Sequence, residues 1–450
     1  MNEDGEFDLL IRGGMCVTDT TIATGDVGIR DGKIAAIGQL ARARADVEID
    51  ATGLHVLPGV IDSQVHFREP GLEHKEDLGT GTASAALGGI TAICEMPNTK
   101  PSTTTAEAMA NKVRLGREKA WTDFAFFMGA AAENADKLGE IETVEGCCGV
   151  KIFMGSSTGN LLVHEDSVLE SALRSGSRRV AIHAEDELRL RERRHLVEHE
   201  NASVTLHPVW RDDLTALRAT QRILALARRT GRKIHVLHIT TAEEMTLLAQ
   251  YTDVATVEVT PQHLTLHAPD CYERLGSFAQ MNPPIREQHH QDALWEAVRS
   301  GVVTVIGSDH APHTREEKAR PYPKSPSGMP GVQTMLPLML DHVNQGRLDL
   351  SRLVELMCHA PARIYGMQGK GWLAPGFDGD VSLVDMKAQK TITHDQMASR
   401  CGWTPFDGKE VSGWPTATII RGRIVMRDGE LLGEPAGQPL RFVAQDSDDA

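Results

Sequence analysis

The stretch Pro58-Gly59-Val60-Ile61-Asp62-Ser63-Gln64-Val65-His66 is a short apolar run that ends in polar, metal-competent side chains. Other segments repeat the pattern. Lys151 stands inside Gly149-Val150-Lys151-Ile152-Phe153, His183 closes Val180-Ala181-Ile182-His183, and His238 closes Ile234-His235-Val236-Leu237-His238. Asp309 closes Val303-Thr304-Val305-Ile306-Gly307-Ser308-Asp309. Each of these polar residues lies at or just past the end of a β-branched or otherwise apolar segment. In a barrel of parallel strands, such ends converge on one open mouth. Imidazoles, a carboxylate and a lysine meeting there suit a zinc-type hydrolytic site.

Outward from that stretch, residues 58–370 alternate strand-like with helical segments. Candidate strands fall at 57–62, 89–96, 123–129, 149–154, 179–183, 233–239, 254–260 and 302–307. Between the fifth and sixth, Ala216, Ala219, Ile223 and Leu226 recur at helical spacing, and Gly231 is placed to cap that helix. Repeated βα units that close on themselves predict an α/β fold, a TIM (β/α)8 barrel, with a doubly wound sheet as the alternative. Residues 8–57 read as short strands broken by glycine-rich turns, Asp31-Gly32 being a strong hairpin signal. Strand-like runs return at 379–384, 417–422 and 423–426. Residues 1–57 and 371–450 together therefore predict one small β-sandwich domain built from both termini. The tail Gln445–Ala450 reads as a solvated end.

The composition sets the class. A chain of 450 residues with 41% hydrophobic and 24% charged content is ordinary for a globular enzyme. Its net charge of −15 argues against nucleic acid and anionic membranes as partners. The acidic start Met1-Asn2-Glu3-Asp4 has no signal-like apolar region, and no apolar run is long enough to span a bilayer. The seven cysteines are odd in number and lack CxxC spacing, which suits free thiols in a reducing cytoplasm. Cys147-Cys148, adjacent and just before a strand, reads as core packing.

Single residues carry little weight here. An isolated histidine such as His235 or His263 is more often a satisfied structural side chain. Lys151 differs, because a lysine inside an apolar strand is costly without a partner and burial lowers its pKa. A neutral amine can add carbon dioxide to give a carbamate, a carboxylate-like group able to bridge two metals.

The stretch from Pro58 through His66 continues as Phe67-Arg68-Glu69-Pro70-Gly71, and the whole resembles the amidohydrolase superfamily. Within it the likeness is to cyclic-amide hydrolases, closest to the dihydroorotase family. Glu95-Met96-Pro97-Asn98-Thr99, Met281-Asn282-Pro283-Pro284 and Gly307-Ser308-Asp309-His310-Ala311-Pro312-His313 extend the resemblance over nearly the whole chain. It implies one or two zinc ions at the barrel mouth, His66 and Asp309 holding one, His183 and His238 the other, and carbamylated Lys151 bridging them. Asp309 would also take the proton of the attacking hydroxide and hand it to the leaving nitrogen. Arg68 would bind a substrate carboxylate as a bidentate fork, helped by Asn98 and His313, and Asn282 would hydrogen-bond the ring amide.

The implied reaction is reversible ring closure of N-carbamoyl-L-aspartate to L-dihydroorotate in pyrimidine synthesis, in the cytoplasm. The implied assembly is a homo-oligomer, dimer or tetramer, with association with aspartate transcarbamoylase as a further partner. The chain departs from the family's His-x-His at Gln64, and an amide oxygen is a weaker zinc ligand than imidazole. Two other readings stay open: an allantoinase or hydantoinase-like hydrolase, and a non-catalytic scaffold whose sole support is Gln64. The segment Pro321–Gly331 is either a structured loop over the mouth or a surface linker.

Overall fold

The computed structural model describes residues 6–157 and 161–443. Met1–Asp4 and the expected solvated tail at 445–450 lie outside the described residues. In chain order, the terminal strands are β1 (Glu6–Val17), β2 (Ile22–Arg30), β3 (Lys33–Gly38), β4 (Arg44–Asp50) and β5 (His55–Pro58). Next come β6 (Val60–Val65), β7 (Ile90–Glu95), β8 (Asp123–Gly129), β9 (Cys147–Phe153) and β10 (Val180–His183). They are followed by β11 (Ile234–Val236), β12 (Ala255–Val259) and β13 (Val305–Ile306). The chain ends with β14 (Val381–Thr391), β15 (Glu410–Ile420), β16 (Arg423–Arg427) and β17 (Glu430–Leu431).

Strands β6 to β13 pair in chain order as one parallel sheet of eight. Its two ends meet: Val65 bridges His310 in parallel, and the His66 N–H donates to the His310 carbonyl at 2.7 Å. That closure makes it a barrel rather than an open doubly wound sheet. The helix Asp213–Thr230 buries Ala216, Ala219, Ile223 and Leu226 and ends at Gly231, as their spacing predicts. Its apolar stripe joins the main core with Val180, Ile182, Ile234 and Val236 of the strands beneath. Cys147 and Cys148 are buried free thiols, as expected of packing residues. Among the described residues no helix is long and apolar enough to cross a membrane.

The remaining strands form a nine-stranded mixed sheet in which β5 pairs with β1 on one side and β14 on the other. Both termini thus build one unit, with a shared apolar core including Leu9, Ile11, Val27, Ile49, Leu383 and Ile419. The β2–β3 hairpin turns at Asp31-Gly32 with φ of 51° and 72°, the left-handed pair that a two-residue type I′ turn requires. The predicted strand 57–62 proves to be two. His55–Pro58 belongs to the terminal sheet and Val60–Val65 to the barrel, with Gly59 between them donating to the Asp380 carbonyl at 2.9 Å. One apolar run serves two sheets, so hydrophobicity alone could not divide it.

A buried ionic cluster ties the two units together. Lys370 Nζ lies 2.6 Å from Asp123, the first residue of β8, and 2.8 and 2.6 Å from Asp378 and Asp380, which precede β14. Arg421, in the turn after β15, also pairs with Asp123. Burial opposes the Lys370 charge, but the three carboxylates outweigh it and raise its pKa above the ordinary 10.5. Its stabilisation is therefore complete at every pH below that value. Lys370→Met should lower stability by about 3–5 kcal/mol at pH 7.5, the usual cost of stranding buried charge. The deficit should narrow toward pH 5 as the abandoned carboxylates protonate. Thermal unfolding of parent and variant at both pH values measures it.

Candidate metal centre and substrate pocket

The first, fourth, fifth, sixth and eighth barrel strands deliver Gln64, His66, Lys151, His183, His238 and Asp309 to one pocket at their C-terminal ends. Arg68, Asn98 and Asn282 line the same pocket. His313 stands behind Arg68 and lines a neighbouring cavity that shares Ser157, Asn282 and Ser327 with the first. Every residue expected at the site is thus at the mouth, with His313 one step back from the pocket wall.

Two pairs of ligand atoms face each other. His183 Nδ1 lies 3.1 Å from His238 Nε2, and His66 Nε2 lies 3.2 Å from Asp309 Oδ1. Burial lowers the pKa of all three imidazoles, so they are neutral at pH 7. A tetrahedral zinc site with Zn–N near 2.0 Å has ligand-to-ligand edges of about 3.3 Å, close to both spacings. In the same pocket, Lys151 Nζ is fully buried and has no hydrogen-bond partner among the described residues. Burial lowers its pKa to about 7, partly offset by Asp309 and Glu258. Half the amine is then neutral near pH 7. Paired ligand atoms and an orphaned amine fit a cation centre able to take divalent metal. Elsewhere among the described residues, Asp123, Asp378 and Asp380 also converge, but Lys370 and Arg421 already fill that cluster.

Backbone geometry aims these side chains. Arg68, His238 and Asp309 adopt φ of 67°, 40° and 44°, the left-handed region that side-chain-bearing residues rarely enter. Such conformations cost on the order of 1–3 kcal/mol each and persist where neighbours over-determine them. Here Leu237 N bonds Ile182 O and Ile239 N bonds Glu258 O on either side of His238. Gly71 serves Arg68 differently. A Cβ on Gly71 would collide with the Lys100 carbonyl, so only glycine lets this turn pack against Lys100.

Arg68 is 1% exposed and forms no ion pair with a carboxylate among the described residues. Its neighbours are engaged elsewhere, Glu69 with Lys119 at 2.5 Å and Glu73 with the Gly71 N–H at 2.8 Å. A rim salt bridge from Arg68 to Glu69 or Glu73 is therefore absent among the described residues. Arg68 Nε donates to the Pro312 carbonyl at 3.2 Å, and Nη2 lies 3.4 Å from His313 Nε2. Lys75 Nζ stands 3.2 Å from His313 Nδ1, so that nitrogen accepts and Nε2–H donates to the Ser327 carbonyl at 3.0 Å. Burial lowers the Arg68 pKa to about 10, which leaves it charged at pH 7. Asn98 places its Oδ1 2.7 Å from His66 Nδ1, and Asn282 Oδ1 lies 3.0 Å from His207 Nε2. Both line the pocket while bonded to a histidine. His310 faces away: its Nδ1 accepts from Gly331 and Val332, and its ring meets Phe67 edge-on.

Several contributors escaped the sequence reading. Glu185 Oε2 lies 2.9 Å from His183 Nε2, and Arg211 holds that carboxylate through contacts of 3.0 and 2.5 Å. Burial pushes the Glu185 carboxyl up, but Arg211 and His183 outweigh it and hold it well below its ordinary range. His183 is thereby turned to offer Nδ1. The loop 321–331 is no surface linker. Lys318, fully buried, donates to the carbonyls of Gln280, Pro326 and Gly328 at 3.0, 2.9 and 2.9 Å and fixes the loop against the mouth. A histidine two residues before a glutamate was the signal for Glu185. For Lys318 the sequence held none.

Glu185→Gln should weaken zinc binding on the His183 side by about 10- to 100-fold, the usual effect of losing a carboxylate behind a ligating histidine. Zinc titration of the metal-free protein reads it. Glu185→Gln combined with Arg211→Met should show the same loss, which separates it from the strain of an unpaired Arg211.

Residues 55–425 match the amidohydrolase family. The chain is 35% identical over 442 residues to a dihydroorotase of Methanosarcina acetivorans, covering 95% of this chain and 94% of that protein. It is 34% identical over 454 residues to an allantoinase of Rubrobacter xylanophilus, covering 97% and 98%. Among solved structures, the L-hydantoinase (dihydropyrimidinase) from Arthrobacter aurescens superposes with a TM-score of 0.92 at 31% identity, over 96% of this chain and 99% of that one. A barrel with its polar strand ends gathered at one mouth, matched along nearly its full length, places this chain in the amidohydrolase family.

Proposed function

We propose that this protein is a zinc-dependent dihydroorotase, interconverting N-carbamoyl-L-aspartate and L-dihydroorotate in pyrimidine synthesis. The observation that carries the reading is Arg68, a buried guanidinium at the pocket wall with no carboxylate in ion-pair contact among the described residues. Buried charge calls for a counter-ion, and a ligand must bring it. L-dihydroorotate carries a ring carboxylate, whereas allantoin and hydantoin do not. Several relatives named dihydroorotase, at 34–35% identity, support the same choice.

His183, His238 and Lys151 would hold one zinc, and His66, Asp309 and Lys151 the other, with Lys151 as its carbamate. Bound zinc would polarise the ring carbonyl and lower the pKa of water to about 7. The buried Lys151 amine supplies a neutral nitrogen that adds carbon dioxide, forming one N–C bond and releasing one proton. Arg68 fixes the ring through its carboxylate, and Asn282 stands beside it for the ring amide. Asp309 engages Gln64 and His66 through Oδ1, which leaves Oδ2 to accept a proton. It takes that proton from water as oxygen bonds to the ring carbon. The C–N bond then breaks, and the leaving nitrogen keeps the electron pair and receives the proton from Asp309.

Ultraviolet absorbance of dihydroorotate hydrolysis, with allantoin and hydantoin as controls and metal analysis alongside, tests the assignment. Arg68→Ala should keep its metal and lose on the order of 1.5–3 kcal/mol of transition-state binding, about 10- to 150-fold in kcat/KM. A variant with near-normal kcat/KM would show that carboxylate recognition runs elsewhere.

Lys151 makes a pH-dependent claim. Only the neutral amine reacts, and its pKa is lowered to about 7. At fixed dissolved carbon dioxide, zinc reactivation of the stripped protein should therefore accelerate with pH through about 7 and level off near 8. Lys151→Ala should lose metal and recover part of it with a short-chain carboxylic acid. A flat reactivation profile, or full metal in Lys151→Ala, would count against the carbamate.

A further inference from the structure

Gln64 stands where the family pattern has a histidine, yet the end of its amide turned to Asp309 is the nitrogen, which is no metal ligand. Its Nε2 lies 3.1 Å from Asp309 Oδ1. A carboxylate only accepts, so it selects the amide's NH2 end and fixes which way the side chain points. The oxygen, Oε1, is thereby turned off Asp309. It is buried, belongs to a side chain that lines the pocket, and has no partner among the described residues. The Gln64 backbone is held as firmly, its N–H donating to Asp62 Oδ1 at 3.1 Å. An anchored amide on the pocket wall whose buried acceptor is left unpaired asks for a donor.

We propose that Gln64 is a specificity-determining residue whose Oε1 accepts the N–H of the ring amide nitrogen that leaves, while its Nε2 holds Asp309. The inference rests on the proposed cyclic-amide substrate. The leaving nitrogen must approach Asp309, because that carboxylate returns the proton to it. Gln64 touches Asp309 directly, so its free oxygen is next to the place the nitrogen must reach. When the C–N bond breaks, the nitrogen keeps the electron pair and takes the new proton from Asp309. Its original N–H stays on Gln64 throughout. One neutral side chain thus aligns both the proton carrier and the atom that receives the proton.

The test pairs a change in the residue with a change in the substrate. Parent and Gln64→Met are assayed on L-dihydroorotate and on its analogue methylated at the leaving nitrogen, with zinc content measured for both proteins. Methylation should lower the parent's kcat/KM at least 100-fold. Gln64→Met should already be 10- to 100-fold slower on dihydroorotate, with unchanged zinc content, and should lose less than tenfold more on methylation. An equal methylation penalty in both proteins would overturn the proposal. A crystal structure of the zinc-loaded parent decides independently of any variant. Oε1 more than 3 Å from zinc, with Nε2 still on Asp309, supports it; Oε1 within about 2.2 Å of zinc makes Gln64 a ligand and overturns it. If the parent hydrolyses another cyclic amide but not dihydroorotate, the substrate assignment fails alone. The same methylation comparison on that ring then tests Gln64.

Discussion

The junction of the first and last barrel strands holds the site together. Asp62 Oδ1 accepts the N–H of Gln64 at 3.1 Å and that of Ser308 at 3.0 Å, while the His66 N–H reaches the His310 carbonyl at 2.7 Å. The bonds to Ser308 and His310 join residues some 245 positions apart and place Gln64 and His66 directly across from Asp309. A parallel sheet of eight strands left open at this edge would leave the two halves of the polar cluster on separate rims. Closure converts strand order into chemistry. It also explains the buried carboxylate at Asp62, whose pKa burial raises to about 7 even against the backbone N–H groups that it binds.

Much of this was legible in the sequence, because strand ends in a barrel share one destination. Short apolar runs capped by His66, His183, His238 and Asp309 locate the mouth without any knowledge of loop paths, and all four arrive there. The terminal sheet was legible from turn chemistry, since Asp31-Gly32 can hardly be other than a hairpin. What stayed hidden depends on contacts between distant segments. The left-handed φ of Arg68, His238 and Asp309 leaves no mark in residue type, since none is glycine or asparagine. The spacing of His183 and Glu185 hinted at an orienting group, but only the structure shows Arg211, 26 residues on, holding it. The choice between loop and linker at 321–331 turned on Lys318, whose three carbonyl partners come from two separate segments.

The terminal sheet touches none of the reacting groups, yet it shares strand-level anchorage with the barrel. Gly59 passes the chain from β5 straight into β6, so the strand that carries Gln64 and His66 is held at its base by the Asp380 carbonyl. Lys370 adds a second tie at the base of β8. Both ties lie at the N-terminal end of the barrel, where conservation of shape serves stability, while the C-terminal end is left for chemistry. The division of labour follows from the parallel arrangement itself, in which all strands start on one face and finish on the other.

Buried cations separate these two roles on physical grounds. Lys370 is surrounded by three carboxylates, Lys112 pairs with Glu95 at 2.6 Å, and Lys318 is satisfied by three backbone carbonyls. Each is closed, with nothing left for a ligand to supply, and none of the three lines the catalytic pocket. Lys151 has no hydrogen-bond partner among the described residues, only the Phe153 ring 4.6 Å away, and Arg68 has one carbonyl and a histidine edge but no ion-paired carboxylate. Both line the pocket. An unsatisfied buried charge raises the energy of the ligand-free fold, and a chain keeps it only where binding relieves it. The two open cations therefore state what the pocket lacks: at Lys151 a group that turns an amine into an oxyanion between metals, and at Arg68 a carboxylate carried in by the substrate.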